Sequence, residues 1–255
     1  MASDRSSAGD PARTLALLWG VSAEEKPGRR GPRQAKSPAE IAAAAIAVAD
    51  AEGVDAVTMR RVAQELGVSP MALYTYVPGK AELLDLMLDT VYAAVPRTAP
   101  VDDGWRARVT AVAEDNRALH RAHPWIAAVA TSRPPLGPGV MAKYEYELRA
   151  FEGTGLSDVD LDAALTHVLG FVQTCARMAA DERAAQQDSA MTDAQWWAAN
   201  AELLARVFDP ARYPVAARVG AAAGEAHGAA YDPDHAYAFG LARVLDGLAA
   251  LITSA

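Results

Sequence analysis

Tyr74, Thr75 and Tyr76 stand in a row, with Arg60 upstream and Lys80 just downstream. Phenolic hydroxyls, a guanidinium and an ammonium are the groups that meet phosphate oxygens and base edges. Arg60 has the fork geometry for a bidentate contact to a guanine edge, and Ala72 and Thr75 suit thymine methyls or base edges. The other reactive side chains point to different chemistry and fall short of it. His120-x-x-His123 has the helical spacing of a metal pair. Pro124 ends that helix, and Glu114 and Asp115 lie a turn and more away, so no ligand set closes. Cys175 sits in an apolar stripe and reads as core rather than nucleophile. No phosphate-cradling glycine motif and no serine elbow occurs. The sequence therefore predicts no enzyme, no metal site and no cofactor.

The elements that must position the Tyr74 cluster are helical. Ser37-Pro38-Ala39-Glu40 is a capping box with proline at the first helical position. Ile41, Ala44, Ala45 and Val48 follow on one face, and Gly53 ends the helix. Thr58 caps a second helix that carries Val62, Ala63 and Leu66 inward. Gly67-Val68-Ser69 then turns the chain, and Ser69 with Pro70 starts a third helix through Tyr76. Two short helices joined by a glycine-containing turn form a helix-turn-helix, whose second helix enters the major groove. Leu73 is its expected core anchor. A fourth helix runs from Lys80 to about Val95, with Lys80 placed to meet a phosphate.

Charge supports the same reading. The 255 residues carry a formal net charge of −8, unevenly spread. Residues 1–80 hold ten Lys/Arg and nine Asp/Glu, a balance of +1, which leaves −9 for the remainder. Lys26, Arg29, Arg30, Arg33 and Lys36 cluster without an acid between them. Residues 1–36 read as a flexible basic arm rich in Gly, Pro, Ser and Arg, in which Arg13 to Gly20 can make a helical turn of no evident role. An extended, Arg-rich arm suits a narrow minor groove, and Arg29, Arg30 and Arg33 are its expected DNA contacts. One cysteine excludes an intrachain disulfide. No apolar run is expected to reach the ~20 residues of a bilayer span, so the expected location is the cytoplasm.

Residues 97–255 read as a larger helical domain after a helix-turn-helix domain over 37–96; strands are not expected, and the fold class is all-α. Leu161, Leu165, Val168 and Val172 recur at helical spacing, as do Tyr237, Leu241, Val244, Leu248 and Leu251. Further stripes beside them make both helices apolar on more than one face. Such helices need two partners. These stripes are the expected homodimer interface, a four-helix bundle about a two-fold axis. The candidates for an apolar or amphipathic effector pocket are Trp125, Met141, Tyr144, Phe171, Cys175, Met178, Trp196, Trp197 and Phe208, with His120, His167, Gln173 and Thr174 as polar groups.

The stretch Ala51-Glu52-Gly53-Val54-Asp55-Ala56-Val57-Thr58-Met59-Arg60-Arg61-Val62-Ala63, then Leu66-Gly67-Val68-Ser69 and Leu73-Tyr74-Thr75-Tyr76-Val77-Pro78-Gly79-Lys80, resembles the TetR family of bacterial repressors. The resemblance spans about residues 37–90. It continues more loosely in Trp105-Arg106, His123-Pro124-Trp125, Arg133-Pro134 and Gly137-Pro138, which look like the tetracycline-repressor branch with a basic N-terminal arm. It implies DNA contacts at Thr58, Arg60, Pro70, Met71, Ala72, Tyr74, Thr75, Tyr76 and Lys80. Met71 and Ala72 stand where many relatives carry polar residues. It further implies a dimer on palindromic operator DNA, released by a small molecule, and control of an exporter or biosynthetic gene. The alternative is a regulator with no small effector, governed by a protein partner or by abundance.

Overall fold

The computed structural model describes residues 7, 9–21, 36–97, 104–129, 133–229 and 231–254. Among the described residues all regular structure is helical. The chain opens with α1 (Pro11–Trp19), which lies inside the segment expected to be a flexible arm. The helix-turn-helix module follows as α2 (Pro38–Glu52), a 3-10 turn at Val54–Ala56, α3 (Met59–Glu65), α4 (Pro70–Leu73) and α5 (Lys80–Ala94). The remainder comprises α6 (Gly104–Ala122), a 3-10 segment Pro124–Ala128, α7 (Pro138–Arg149), α8 (Asp158–Ser189), α9 (Asp193–Val207), α10 (Pro214–His227) and α11 (Pro233–Ser254).

Local chemistry sets most boundaries. The Ser37 hydroxyl accepts from the Glu40 amide at 3.2 Å, and the Glu40 carboxylate accepts from the Ser37 amide at 2.7 Å. Thr192 and Gln195 repeat this capping box at the start of α9. The third helix is shorter than its sequence pattern. It ends at Leu73, and Tyr74 to Tyr76 form a tight turn ahead of Pro78. Pro78 disfavours the helical region for Val77, so the chain does not re-enter a helix before Lys80.

Two apolar cores lie along the chain. The first gathers Ile41, Val48, Val62, Leu73, Leu83, Met87 and Leu88, and it also takes in Leu119, Trp125 and Ile126 from beyond residue 97. The module therefore shares its core with the end of α6 and the 3-10 segment. The second core joins Val109, Val112, Phe151, Leu165, Val168, Val172, Leu241 and Leu245. α5 contributes its apolar residues to the first core and carries three carboxylates on its covered faces. Glu82, Asp85 and Asp89 are all buried. Each accepts a backbone N–H from another segment: Glu82 from Asp10 at 3.2 Å, Asp85 from Ser7 at 2.8 Å, and Asp89 from Val140 at 2.8 Å. A buried carboxylate costs free energy unless hydrogen-bonded, so these contacts fix α1 and α7 against α5.

Pro233–Ile252 reaches the length and mean hydropathy, 1.2, of a bilayer-crossing helix, contrary to the expectation that no apolar run would. Its Tyr237, Leu241, Leu245 and Leu248 pack into the second core.

Candidate nucleic-acid interface and ligand cavity

The recognition element rests on one buried anchor. Leu73 is 1% exposed, and Val77 behind it is fully buried. With Leu73 inward, α4 turns Met71 and Tyr74 outward, 75% and 45% exposed. The Ser69 hydroxyl accepts from the Ala72 amide at 3.2 Å and holds the first turn. Gly67 takes φ +67°, in the left-handed region that lets α3 and α4 meet through so short a turn. Thr58 caps α3 by accepting from the Arg61 amide at 3.1 Å.

Neighbouring arginines diverge. Arg61 is bound to Glu52 at 2.7 Å and Glu65 at 2.8 Å, and so braces the module from within. Arg60, one residue earlier, is exposed and makes no ion pair with a described residue. Thr58, Pro70 and Thr75 are exposed alongside it, while Ala72, Tyr76 and Lys80 are half-buried. The Thr75 hydroxyl donates to the Ala72 carbonyl at 2.6 Å, so toward a ligand it offers lone pairs only. Of the expected contacts, Thr58, Arg60, Pro70, Met71, Tyr74 and Thr75 are thus exposed. Arg29, Arg30 and Arg33 lie outside the described residues.

Residues 41–87 match the family described as bacterial regulatory proteins, tetR family, and residues 96–252 match the tetracyclin repressor-like C-terminal domain. The chain belongs to the TetR family. It is 42% identical over 250 residues, 98% of this chain and 89% of the relative, to the HTH-type transcriptional repressor DrrR1 of Streptomyces coeruleorubidus. Among solved structures, ActR of Streptomyces coelicolor in complex with actinorhodin is 27% identical, with a TM-score of 0.70 over 85% of this chain and 96% of that one. BioQ bound to its double-stranded DNA operator is 29% identical, with a TM-score of 0.50 over 60% and 89%. This TetR-family protein is a transcriptional repressor that reads DNA and is not an enzyme.

In its C-terminal part, α6, α8 and α11 enclose a cavity of about 50 Å³ lined by Arg117, His120, Val172, Cys175, Ala179 and Tyr237, among others. The His120 Nδ1 is buried without a hydrogen-bond partner, and the buried Tyr237 hydroxyl has only the Glu114 carboxylate close by. Burial, with the Lys143 ammonium nearby, holds the His120 pKa down at about 4, so the ring is neutral at physiological pH. Burial and the neighbouring Glu114 carboxylate raise the Tyr237 pKa. The Arg117 guanidinium stacks over the Tyr237 ring at 3.9 Å and pairs with Asp234, which also pairs with Arg121 at 2.9 Å. Phe171 stacks on the same tyrosine, with ring centroids 5.7 Å apart.

Of the expected effector residues, His120 and Cys175 line this cavity and Phe171 adjoins it. Arg117 and Tyr237 were not anticipated as lining. Arg117 stands one turn before His120 on the same face of α6, a spacing the sequence displays. Trp125 is not at the cavity: it is buried in the first core, and its indole N–H donates to Asp50 at 2.8 Å. Met141 and Tyr144 lie on the exposed face of α7, with the Tyr144 hydroxyl donating to Asp162 at 2.7 Å. His167, Thr174 and Met178 are exposed and Gln173 half-buried along α8. Trp197 and Phe208, with Trp196 packed edge-on to Trp197 at 5.0 Å, belong instead to an open apolar groove of about 450 Å³ along α9.

The expected dimer stripes are also placed differently. Leu165, Val168, Val172, Tyr237, Leu241 and Leu248 are buried within the protomer, and Leu161 and Val244 pack against the same core. Periodicity identifies an apolar face but not its partner, and here the most regular stripes of α8 and α11 face each other. Only Leu251 remains outward, 47% exposed.

Proposed function

We propose that this repressor binds a palindromic operator as a homodimer in the cytoplasm and is released by a small apolar or amphipathic effector. Its expected target is an exporter or a nearby biosynthetic gene. The observation that carries the effector reading is the buried, unpartnered His120 Nδ1 at a cavity it shares with the buried Tyr237 hydroxyl. Such an atom costs about 1–3 kcal/mol, a cost a bound ligand can relieve. The cavity is far below the ~300 Å³ of a drug-sized site, so an effector must part α6, α8 and α11 to enter. That parting is the differential interaction between two states that release requires. The solved complex of ActR with actinorhodin supports the same reading.

The dimer reading draws on α9 and α10, which bury no residue in the protomer. Leu203, Val207, Val215 and Val219 on these helices are each more than half exposed. A helix apolar on an uncovered face needs a partner, and a second copy would also supply the two-fold symmetry of a palindrome. The same bare face is what a regulatory protein partner would use, which is the rival reading.

The test is an anisotropy titration of the full chain against the DNA upstream of its own and the adjacent gene, at two salt concentrations. Arg60→Ala and Tyr74→Phe are measured in parallel. Selective binding, weakened about 5–150-fold by Arg60→Ala, supports the operator reading. A dimer mass that persists while no duplex is selected would refute it. Release of bound DNA by members of a small-molecule library, abolished by His120→Phe, separates the effector reading from its rival.

A further inference from the structure

Helix α1 is clamped at both ends, on two different parts of the chain. Asp10 caps it, accepting from the Ala12 and Arg13 amides at 3.0 and 3.1 Å. Just before that cap the Ser7 amide donates to both oxygens of Asp85, at 2.8 and 3.1 Å, and the Asp10 amide to Glu82. Gly9 lies so close to Glu82 that a Cβ there would sit 2.1 Å from its carboxylate oxygen. Along the helix Thr14 and Leu18, one turn apart, are buried, and Leu18 joins the first core. At the far end the Trp19 indole N–H donates to the Leu136 carbonyl at 2.8 Å, across 117 residues of sequence. Gly20, at φ +64°, then ends the helix.

The two anchors belong to elements with different duties. Glu82 and Asp85 lie on α5, which continues directly from the recognition turn through Lys80. Leu136 lies in the segment leading into α7, which belongs to the part that holds the ligand cavity. A helix of nine residues is too short to persist alone in water, where ~12–15 residues are needed, so α1 exists as a helix only while docked. Docking is consequently close to all-or-none.

We infer that α1 is a built-in brace which ties α5 to the start of α7 and holds the recognition element in its DNA-reading position. Trp19, Leu18 and the Ser7–Asp85 pair act as positioning groups; none of them is required to touch DNA. Losing the brace leaves α5 and α7 joined only by their own contact, where Asp89 accepts from the Val140 amide; it loosens that pair and lowers operator affinity without removing any phosphate-binding group.

Two variants of the full chain test this. Leu18→Asp undocks the helix, and Trp19→Phe removes only the indole bond to Leu136; Leu18→Met is the conservative control. In hydrogen–deuterium exchange, Leu18→Asp is expected to raise exchange tenfold or more at residues 80–94 and 138–142. Residues 158–175 should stay unchanged, and Leu18→Met should match the parent. Operator affinity, on duplexes selected from a random pool by the parent chain, is expected to fall 5–30-fold with an unaltered slope against log salt. Trp19→Phe should show a smaller fall of the same kind. Unchanged exchange at both segments would overturn the brace. So would acceleration spread evenly over the chain, which marks a mere stability effect, or a reduced salt slope, which marks a direct phosphate contact. If the parent chain selects no duplex, the operator reading fails while the exchange result still decides the brace.

Discussion

Asp50 should be worth more than its half-exposed position suggests. It lies on α2, and its carboxylate accepts from His123 Nδ1 at 2.8 Å and from the Trp125 indole at 2.8 Å. Both donors come from the segment that follows α6, so one carboxylate holds the helix-turn-helix module to the end of the helix that lines the cavity. Trp125 is 4% exposed. Asp50→Ala therefore strands a buried N–H, at about 1–3 kcal/mol, and also removes the histidine contact. Partial exposure of the carboxylate reduces the second contribution, and a total loss of about 2–3 kcal/mol is expected. For a chain of this length that is roughly 5–10 °C in melting temperature. Asp50→Asn keeps an acceptor for the indole and should lose about half as much. The assay is thermal unfolding of Asp50→Ala, Trp125→Phe and the double variant, which isolates the Asp50–Trp125 coupling; about 1–2 kcal/mol is expected. A loss under about 0.5 kcal/mol for Asp50→Ala, or strict additivity of the two substitutions, would refute the assignment of Asp50 as a latch.

Other consequences are as direct. His120 has a folded-state pKa of about 4 against an ordinary 6.5, so the unfolded chain binds the extra proton between those values. Its contribution to stability is present above pH 6.5 and is lost as pH falls toward 4, and His120→Gln should remove that part of the acid dependence in melts across this window. Asp85 runs the other way: burial, with Glu82 nearby, pushes its pKa up to about 6 from 3.8, so its contribution falls as pH rises through that interval. Asp85→Asn should accordingly stabilise the protein more at about pH 7.5 than at about pH 5, and the reverse order would contradict the burial argument. Ser69→Ala removes the cap of α4 and should cost about 1 kcal/mol in urea unfolding, with operator affinity falling as well. Replacing Arg29, Arg30 and Arg33 together by alanine should lower the slope of log affinity against log salt by about one for each arginine that neutralises a phosphate, and an unchanged slope would remove the arm from the interface.

The sequence displayed what local chemistry decides. The caps at Ser37, Thr58 and Ser69, the turn at Gly67 and the inward Leu73 are short-range signals, and they sufficed to set the helix starts and the outward position of Met71 and Tyr74. What it concealed is decided by partners far away in the chain. Helix α1 looked like part of an arm because its supports, Asp85 and Leu136, stand 78 and 117 residues from the groups they hold. Glu82, Asp85 and Asp89 carry charge and would ordinarily be assigned to a solvated face; only the backbone amides of other segments make their burial tolerable. The stripes of α8 and α11 were visible as apolar faces, yet a period of ~3.6 carries no information about whether the facing helix belongs to the same chain. Trp125 has the makings of pocket lining, and the position of Asp50 turns it into a latch instead.

At Gly139 the backbone of α7 meets that of α5 with no side chain between them. A Cβ on Gly139 would lie 2.1 Å from the Asp89 carbonyl oxygen, and one on Gly137 2.2 Å from the Asp89 carboxylate. Two rods touching at a bare point form a fulcrum with no slack. Lys80 stands nine residues from Asp89 along α5, about 14 Å at ~1.5 Å per residue. A roll of about 10° at Gly139 would carry that end by about 2 Å, several times the ~0.5 Å window of a hydrogen bond to a base or phosphate. Mechanical advantage of this kind means that a single methyl at position 139 can displace the Lys80 end of α5 with no change in the residues around it.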